Sequence, residues 1–465
     1  MARILDLGTS ARLSGIARLC LSALMLLAST FCIGAAPFAH CTTFIGIDGD
    51  LVLVGNNEDY GNPVINAWFL PATEETYGRF LIGTEGVLQG GLNDRGLVYD
   101  GLTIPPRDVA RDDRPVFPGW WPVHVLETCS TVEEVLVSYE IHSFPGTWNG
   151  KLFFADAAGD AVLIEGDAVI RRSGRFLVTT NFLQSVTPPE EITCDRYLTV
   201  TAMLEQTEAF TPELYRDILD AVHVEYRDGA GTLYSTVYDL TNLTITCYLY
   251  HDFTQPVFFD LRDELARGPR ALELHALFPT NPAYEAWRSR KLDTLARLIG
   301  SFRDTGVDPD SYDEFVGHYG LTSGGVISIH PPLALTTFSV ARFGNRLAIT
   351  VCAEGLSFEL FPLGNGRFRS ASMNLGTDFD VTFLRNPAGA VAGATFTYIT
   401  HEGERLEAAL TKIADHPRFV ALPDFMAPLP KLLGNKPAPV RVGFWIGIGL
   451  VALGLLGLAL VLRAP

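Results

Sequence analysis

At 465 residues, 48% hydrophobic and only 19% charged, the chain is long enough for two or three domains and too apolar for disorder. Its formal net charge of −18 opposes a phosphate backbone, which is bound through Lys and Arg, and nucleic acid is thereby excluded as a partner.

Residues 1–40 read as a secretory signal or pro-segment. Arg3, Arg12 and Arg18 supply the basic start, Leu19 to Ile33 the apolar run, and Gly34-Ala35-Ala36 the small residues of a cleavage site. Cleavage after Ala39 fits as well, and an uncleaved anchor is the alternative. From Cys41 two β-rich runs flank Asp48-Gly49-Asp50, a hairpin signal. Gly96 to Tyr99, Lys151 to Ala155, Ala161 to Glu165 and Phe176 to Thr180 also read as strands, with Asp156-Ala157-Ala158-Gly159-Asp160 as a turn. Helical spacing covers Thr131 to Tyr139, with Thr131 as its cap, Pro212 to Val222, and Ala283 to Phe302.

Beyond Phe302 the texture becomes short strands joined by tight turns. Phe338 to Phe343 and Arg346 to Cys352 flank Gly344-Asn345, and Val381 to Leu384 precedes Asn386-Pro387-Ala388-Gly389. This pattern predicts a small antiparallel β-barrel-like domain over residues 308–415, following a first domain over 41–307. Residues 416–441, with Pro423, Pro428, Pro430, Pro437 and Pro439, read as a stalk. Residues 442–462 are unbroken apolar sequence between Arg441 and Arg463, long enough as a helix to cross about 30 Å of hydrocarbon. The expectation is an exported, single-pass protein anchored at its C-terminus, on the periplasmic or cell-surface side. Gly443 and Gly447 form a GxxxG pair, which permits an oligomer.

Seven cysteines are present, and Cys20 and Cys32 fall in the leader. The odd set left, Cys41, Cys129, Cys194, Cys247 and Cys352, cannot all pair in an exported chain. A thiol is a good nucleophile only as thiolate, and a cysteine made N-terminal carries its own base, an α-amine with a pKa near 8. Cys41, just past the signal, is placed to become one.

Three blocks then carry a resemblance: Cys41-Thr42-Thr43-Phe44, Gly55-Asn56-Asn57-Glu58-Asp59-Tyr60, and Gly90-Gly91-Leu92-Asn93-Asp94-Arg95-Gly96-Leu97. Over about Cys41 to Leu261 the chain resembles the choloylglycine hydrolase and penicillin V acylase family of N-terminal nucleophile hydrolases, including its acyltransferase-like branch. The resemblance implies an α+β, four-layer αββα first domain and hydrolysis of a linear non-peptide C–N amide in a small N-acylated substrate. It implies Cys41 as nucleophile, Asp59 holding the α-amine, Asn181 as oxyanion donor and Arg196 as the distal active-site arginine. It puts Asn56, Asn57, Asn93 and Thr103 at substrate-binding positions. Two departures stand out: the bile-salt branch has arginine where this chain has Asn56, and a second family asparagine falls on Thr103. Bile-salt specificity therefore does not carry over. Acyl transfer to an amine, and an inactive surface-binding module, are the alternatives. The sequence holds no HExxH helix, paired CxxC, P-loop or GxSxG elbow, and no metal or cofactor is expected.

Overall fold

The computed structural model describes residues 41–84, 87–226, 229–302, 307–322, 327–330, 333–350, 357–370, 379–399 and 405–418. The expected signal, nearly all of the stalk and the apolar segment 442–462 lie outside these. Among the described residues no helix is long and apolar enough to cross a membrane.

In chain order the first part runs β1 (Thr42–Asp48), β2 (Leu51–Tyr60), β3 (Ile65–Leu70), β4 (Arg79–Thr84), β5 (Val87–Asn93), β6 (Val98–Val109), α1 (Trp121–Thr128), α2 (Val132–Glu140), β7 (Gly146–Ala155), β8 (Ala161–Glu165), β9 (Ala168–Arg171) and β10 (Phe176–Thr179). It continues with α3 (Asp195–Glu205), α4 (Pro212–Ala221), β11 (Gly231–Asp239), β12 (Thr244–Leu249), β13 (Asp252–Asp260), α5 (Leu261–Ala266), β14 (Arg270–Glu273) and α6 (Pro282–Phe302). A six-stranded antiparallel sheet has the order β10-β1-β2-β11-β12-β13, and an eight-stranded one the order β14-β3-β4-β5-β6-β7-β8-β9.

The strands alternate two apolar faces, so each sheet buries both sides. Ile45, Val52 and Val54 meet Ala67, Phe69 and Phe80 between the sheets. On the outer face of the first sheet, Phe44, Leu53 and Val237 pack under Val200 and Leu204 of α3 and Ile218 and Leu219 of α4. On the outer face of the second, Trp68, Leu81 and Phe154 pack under Trp121 and Val125 of α1 and Val132 and Val135 of α2. The result is four layers, helix, sheet, sheet, helix, in which each fully buried large side chain contributes about 1.5–3 kcal/mol. Thr131 caps α2 by accepting from Glu134 N–H, as its position before the acidic pair predicts. Gly55 is required where it stands, because the Phe44 ring lies across it and a Cβ there would meet Cζ at 2.6 Å.

From Gly317–Leu321 to Arg405–Ala414, eight strands close into an antiparallel barrel. Its interior is filled by aromatic rings, among them Tyr319, Phe338, Phe368, Phe383 and Phe396, so it is a packed core rather than a channel. Ala348 joins the apolar cluster under α1, and Trp120 packs against both that cluster and the barrel core.

Candidate active site

Strand β1 is an interior strand of its sheet, next to the edge strand β10 and hydrogen-bonded on both sides. Thr43 pairs with Thr179 of β10 and with Asn56 of β2. Continuing that antiparallel register sets residue 41 between Asn181 on one side and Glu58 on the other. The period of two then sorts the side chains: Cys41, Thr43, Asn56 and Glu58 face the space between the sheets, whereas Thr42 and Asn57 face the helix layer.

On the helix side, Arg196 in the first turn of α3 ties the start of β1 to the loop after β10. Its Nη1 donates to the Cys41 carbonyl and the Thr42 hydroxyl, both at 2.6 Å, and its Nη2 donates to Asn181 Oδ1 at 2.9 Å. Asn181 Nδ2 in turn donates to the Thr103 carbonyl at 2.7 Å, which fixes the amide plane. Asp59 is buried, and its Oδ1 accepts from the Thr232 hydroxyl. Its Oδ2 has no hydrogen-bond partner among the described residues and lies 3.8 Å from Arg196 Nη1. Burial raises the Asp59 carboxyl to about 7, against the opposing pull of the Thr232 bond and the Arg196 charge.

Between the sheets, the otherwise apolar layer turns polar around Cys41. Asp100 of β6 accepts from the Thr43 hydroxyl and from Asn56 Nδ2 at 2.6 Å. Glu58 Oε1 accepts from Gln89 Nε2 at 2.7 Å, and Tyr234 donates to the other end of that amide at 3.2 Å. Burial raises Asp100 to about 7, while burial, then the Asp100 and Asp59 charges, push Glu58 well above its ordinary value. Burial, then Glu58, Asp59 and Asp100, push the Cys41 thiol well above its ordinary value, opposed by the Asp59 N–H that it accepts from. A standing thiolate is therefore disfavoured. Sulfur can attack here only if its proton leaves as the new bond forms.

A buried ion pair braces the loop after β10. Lys151 of β7 and Glu165 of β8 are both fully buried and 2.8 Å apart. Lys151 Nζ also donates to Thr179 Oγ1, the Thr180 carbonyl and the Phe182 carbonyl, while Glu165 accepts from the Gln184 and Ser185 N–H groups at 2.8 Å. Asn181 lies inside this brace.

The structure thus brings Cys41, Asn56, Asp59, Asn181 and Arg196 together, with Thr103 joining through its carbonyl. Two expected substrate-binding residues are placed elsewhere. Asn57 points to the helix layer, donating to the Leu219 carbonyl and accepting from Ser235, because it is one residue out of phase with Asn56. Asn93 closes the β5–β6 turn, accepting from Arg95 and Leu97 N–H and donating to the Leu126 and Cys129 carbonyls, which leaves its amide no reach toward a ligand. Sequence reasoning passed over Glu58, Asp100 and the Lys151–Glu165 pair. The signal for Glu58 was its alternation with Asn56, and for Lys151 a lone cation heading an apolar strand. Cys41, Cys129, Cys194 and Cys247 are free thiols, and among the described residues no group of side chains is arranged to hold a metal ion.

No family model matches the chain, and neither does any curated protein. Among solved structures it is similar to penicillin V acylase from Agrobacterium tumefaciens, at 18% identity and a TM-score of 0.39, over 50% of this chain and 92% of that one. It is also similar to two variants of conjugated bile acid hydrolase from Clostridium perfringens. One is 17% identical with a TM-score of 0.42 over 52% of this chain and 99% of that one. The other is 16% identical with a TM-score of 0.39 over 52% of this chain and 97% of that one.

Proposed function

We propose that the protein is an amide hydrolase of the N-terminal nucleophile type, which splits a linear non-peptide C–N bond in an N-acylated small molecule through an acyl-thioester on Cys41. The observation that carries this reading is Asp59 Oδ2, a buried carboxylate oxygen without a hydrogen bond among the described residues, on the strand that pairs with β1 just past Cys41. An α-ammonium on Cys41 would satisfy it and, by its charge, hold Asp59 ionised.

Removal of residues 1–40 frees that amine, which takes the thiol proton as sulfur adds to the amide carbonyl. The side-chain N–H of Asn181, held by Arg196 and Thr103, faces the developing oxyanion, a contact worth about 3–4 kcal/mol. Collapse expels the amine, and water releases the acid from the thioester. In this reading the four layers are the αββα fold of such hydrolases, and the chain works outside the cytoplasm, tethered by residues 442–462.

Intact-mass analysis of the mature protein tests it. Residue 41 should be the first residue, carrying one iodoacetamide adduct that abolishes turnover. A mature chain that begins upstream with an unmodified Cys41 refutes the reading. A panel of N-acyl amino acids, β-lactams and acyl-homoserine lactones, assayed with and without an added amine, separates hydrolysis from acyl transfer.

A further inference from the structure

Across β2 from Cys41 stands a buried carboxylic acid that the chemistry above leaves unused. Glu58 is 2% exposed, and Oε1 is committed to Gln89, whose orientation Tyr234 fixes. Oε2 is buried with no hydrogen-bond partner among the described residues. As the cross-strand neighbour of Cys41 on one face of the sheet, its side chain starts within about 5.5 Å of the nucleophile's Cβ.

Its surroundings decide which form it takes. The titratable groups facing it are Cys41, Asp59, Asp100, Tyr99, Tyr234 and Tyr238. None of these side chains is a cation, and the α-ammonium of the mature Cys41 is matched by Asp59. Asp100 has three donors, Thr43, Asn56 and the Gly101 N–H, that stabilise its anion. Glu58 has one. Where two buried carboxyls share a site, the one with fewer donors keeps the proton, and burial holds Glu58 well above the usual carboxylate range.

From this geometry we infer that Glu58 is the general acid of the site, which protonates the leaving nitrogen of the amide from Oε2. The inference rests on the hydrolase reading and adds a proton donor distinct from the α-amine. The steps balance. The α-amine takes the proton from sulfur, the S–C bond forms, and the carbonyl electron pair moves to oxygen. As that pair returns, the C–N bond breaks and the nitrogen takes the Glu58 proton, leaving the acyl-thioester, a free amine, a carboxylate and an α-ammonium. In the second half Glu58 takes a proton from water, hydroxide adds to the thioester, the C–S bond breaks, and the α-ammonium reprotonates sulfur.

The test compares octanoylglycine with p-nitrophenyl octanoate by kcat/KM, which reports the acylation half alone. The two share an acyl group, but p-nitrophenolate leaves without a proton. Glu58→Gln keeps the acceptor for Gln89 and removes the acid. It should lose roughly 10²–10⁴-fold on the amide and change less than about 3-fold on the ester. An equal loss on both, or no loss on the amide, overturns the assignment. If the variant does not fold, the pH profiles of the wild-type protein decide. The amide profile should fall on its alkaline side where the ester profile stays level, and a shared fall overturns the assignment. Wild-type protein that splits neither probe nor any member of the panel sinks the hydrolase reading and this proposal together. Wild-type turnover of both probes that Glu58→Gln leaves intact sinks the proposal alone.

Discussion

Replacing Lys151 with methionine removes the ammonium from a pair in which neither side chain touches water, and leaves Glu165 behind. Removing one partner of such a pair costs about 3–5 kcal/mol, because an uncompensated buried charge remains. In this case Glu165 keeps its bonds from the Gln184 and Ser185 N–H groups, which hold it in the ionised form and offer it no relief by moving. The double variant Lys151→Met/Glu165→Gln removes the stranded charge but keeps an acceptor for only one of those two N–H groups, and should recover part of the loss, leaving about 1–3 kcal/mol for the orphaned loop acceptors and the unpaired N–H. Urea denaturation followed by tryptophan fluorescence measures both. Equal losses in the single and double variants would refute the reasoning, since the cost would then lie in lysine packing rather than in a stranded carboxylate. The single variant should also recover stability as the pH falls. Without its partner the folded-state pKa of Glu165 rises above the unfolded value, and protonation then favours the fold.

Asp100 offers a complementary titration. Its folded pKa of about 7 lies above the unfolded value near 3.9, so the neutral form is the one the fold prefers. Its contribution is complete below about pH 4 and is lost as the pH rises through 7, a change of about 4 kcal/mol. Stability of Asp100→Asn measured from pH 4 to 8 should be flatter than wild type by that amount, and parallel curves would contradict it. Arg196→Lys keeps the charge near Asp59 but cannot reach the Cys41 carbonyl, Thr42 and Asn181 together. Turnover should fall about 100-fold with KM nearly unchanged, and a full rescue by lysine would show that only charge matters. Trp120→Ala should cost about 2–4 kcal/mol and split one thermal transition into two by circular dichroism, because that ring is shared by the cores on either side of it.

Much of this molecule is legible before folding. The hairpin around Asp48-Gly49-Asp50 forms as β1 and β2, with Gly49 at positive φ. Turn residues between short strands announce the barrel. The Lys151–Glu165 contact could have been found as well: once Lys151 to Ala155 and Ala161 to Glu165 are joined by their turn, the register that pairs Leu152 with Ile164 sets 151 opposite 165. What stayed hidden has a common cause. Eight consecutive residues of β2, from Val52 to Asp59, are buried on one face or the other, so polarity does not reveal which way each one points. The opposite facing of Asn56 and Asn57 is invisible for that reason. Asp100 reaches Cys41 only across the gap between two sheets, a relation no local pattern encodes. Helix α1 was missed because it is buried nearly all round and lacks an amphipathic stripe.

On the proposed chemistry, the interior position of β1 also governs when the protein becomes reactive. Cys41, the residue before it, emerges early in synthesis, yet its neighbours include residues 58 and 181, Asp100 from the opposite sheet and Arg196 from α3. A chain stopped before residue 196 has the cysteine but lacks Arg196 and the strand β11 that flanks β2. Contacts this distant in sequence close late and slowly. On that proposed chemistry, a reactive thiol is thus a property of the completed fold, and the nascent chain passes through its most exposed stage carrying an ordinary, unassisted cysteine.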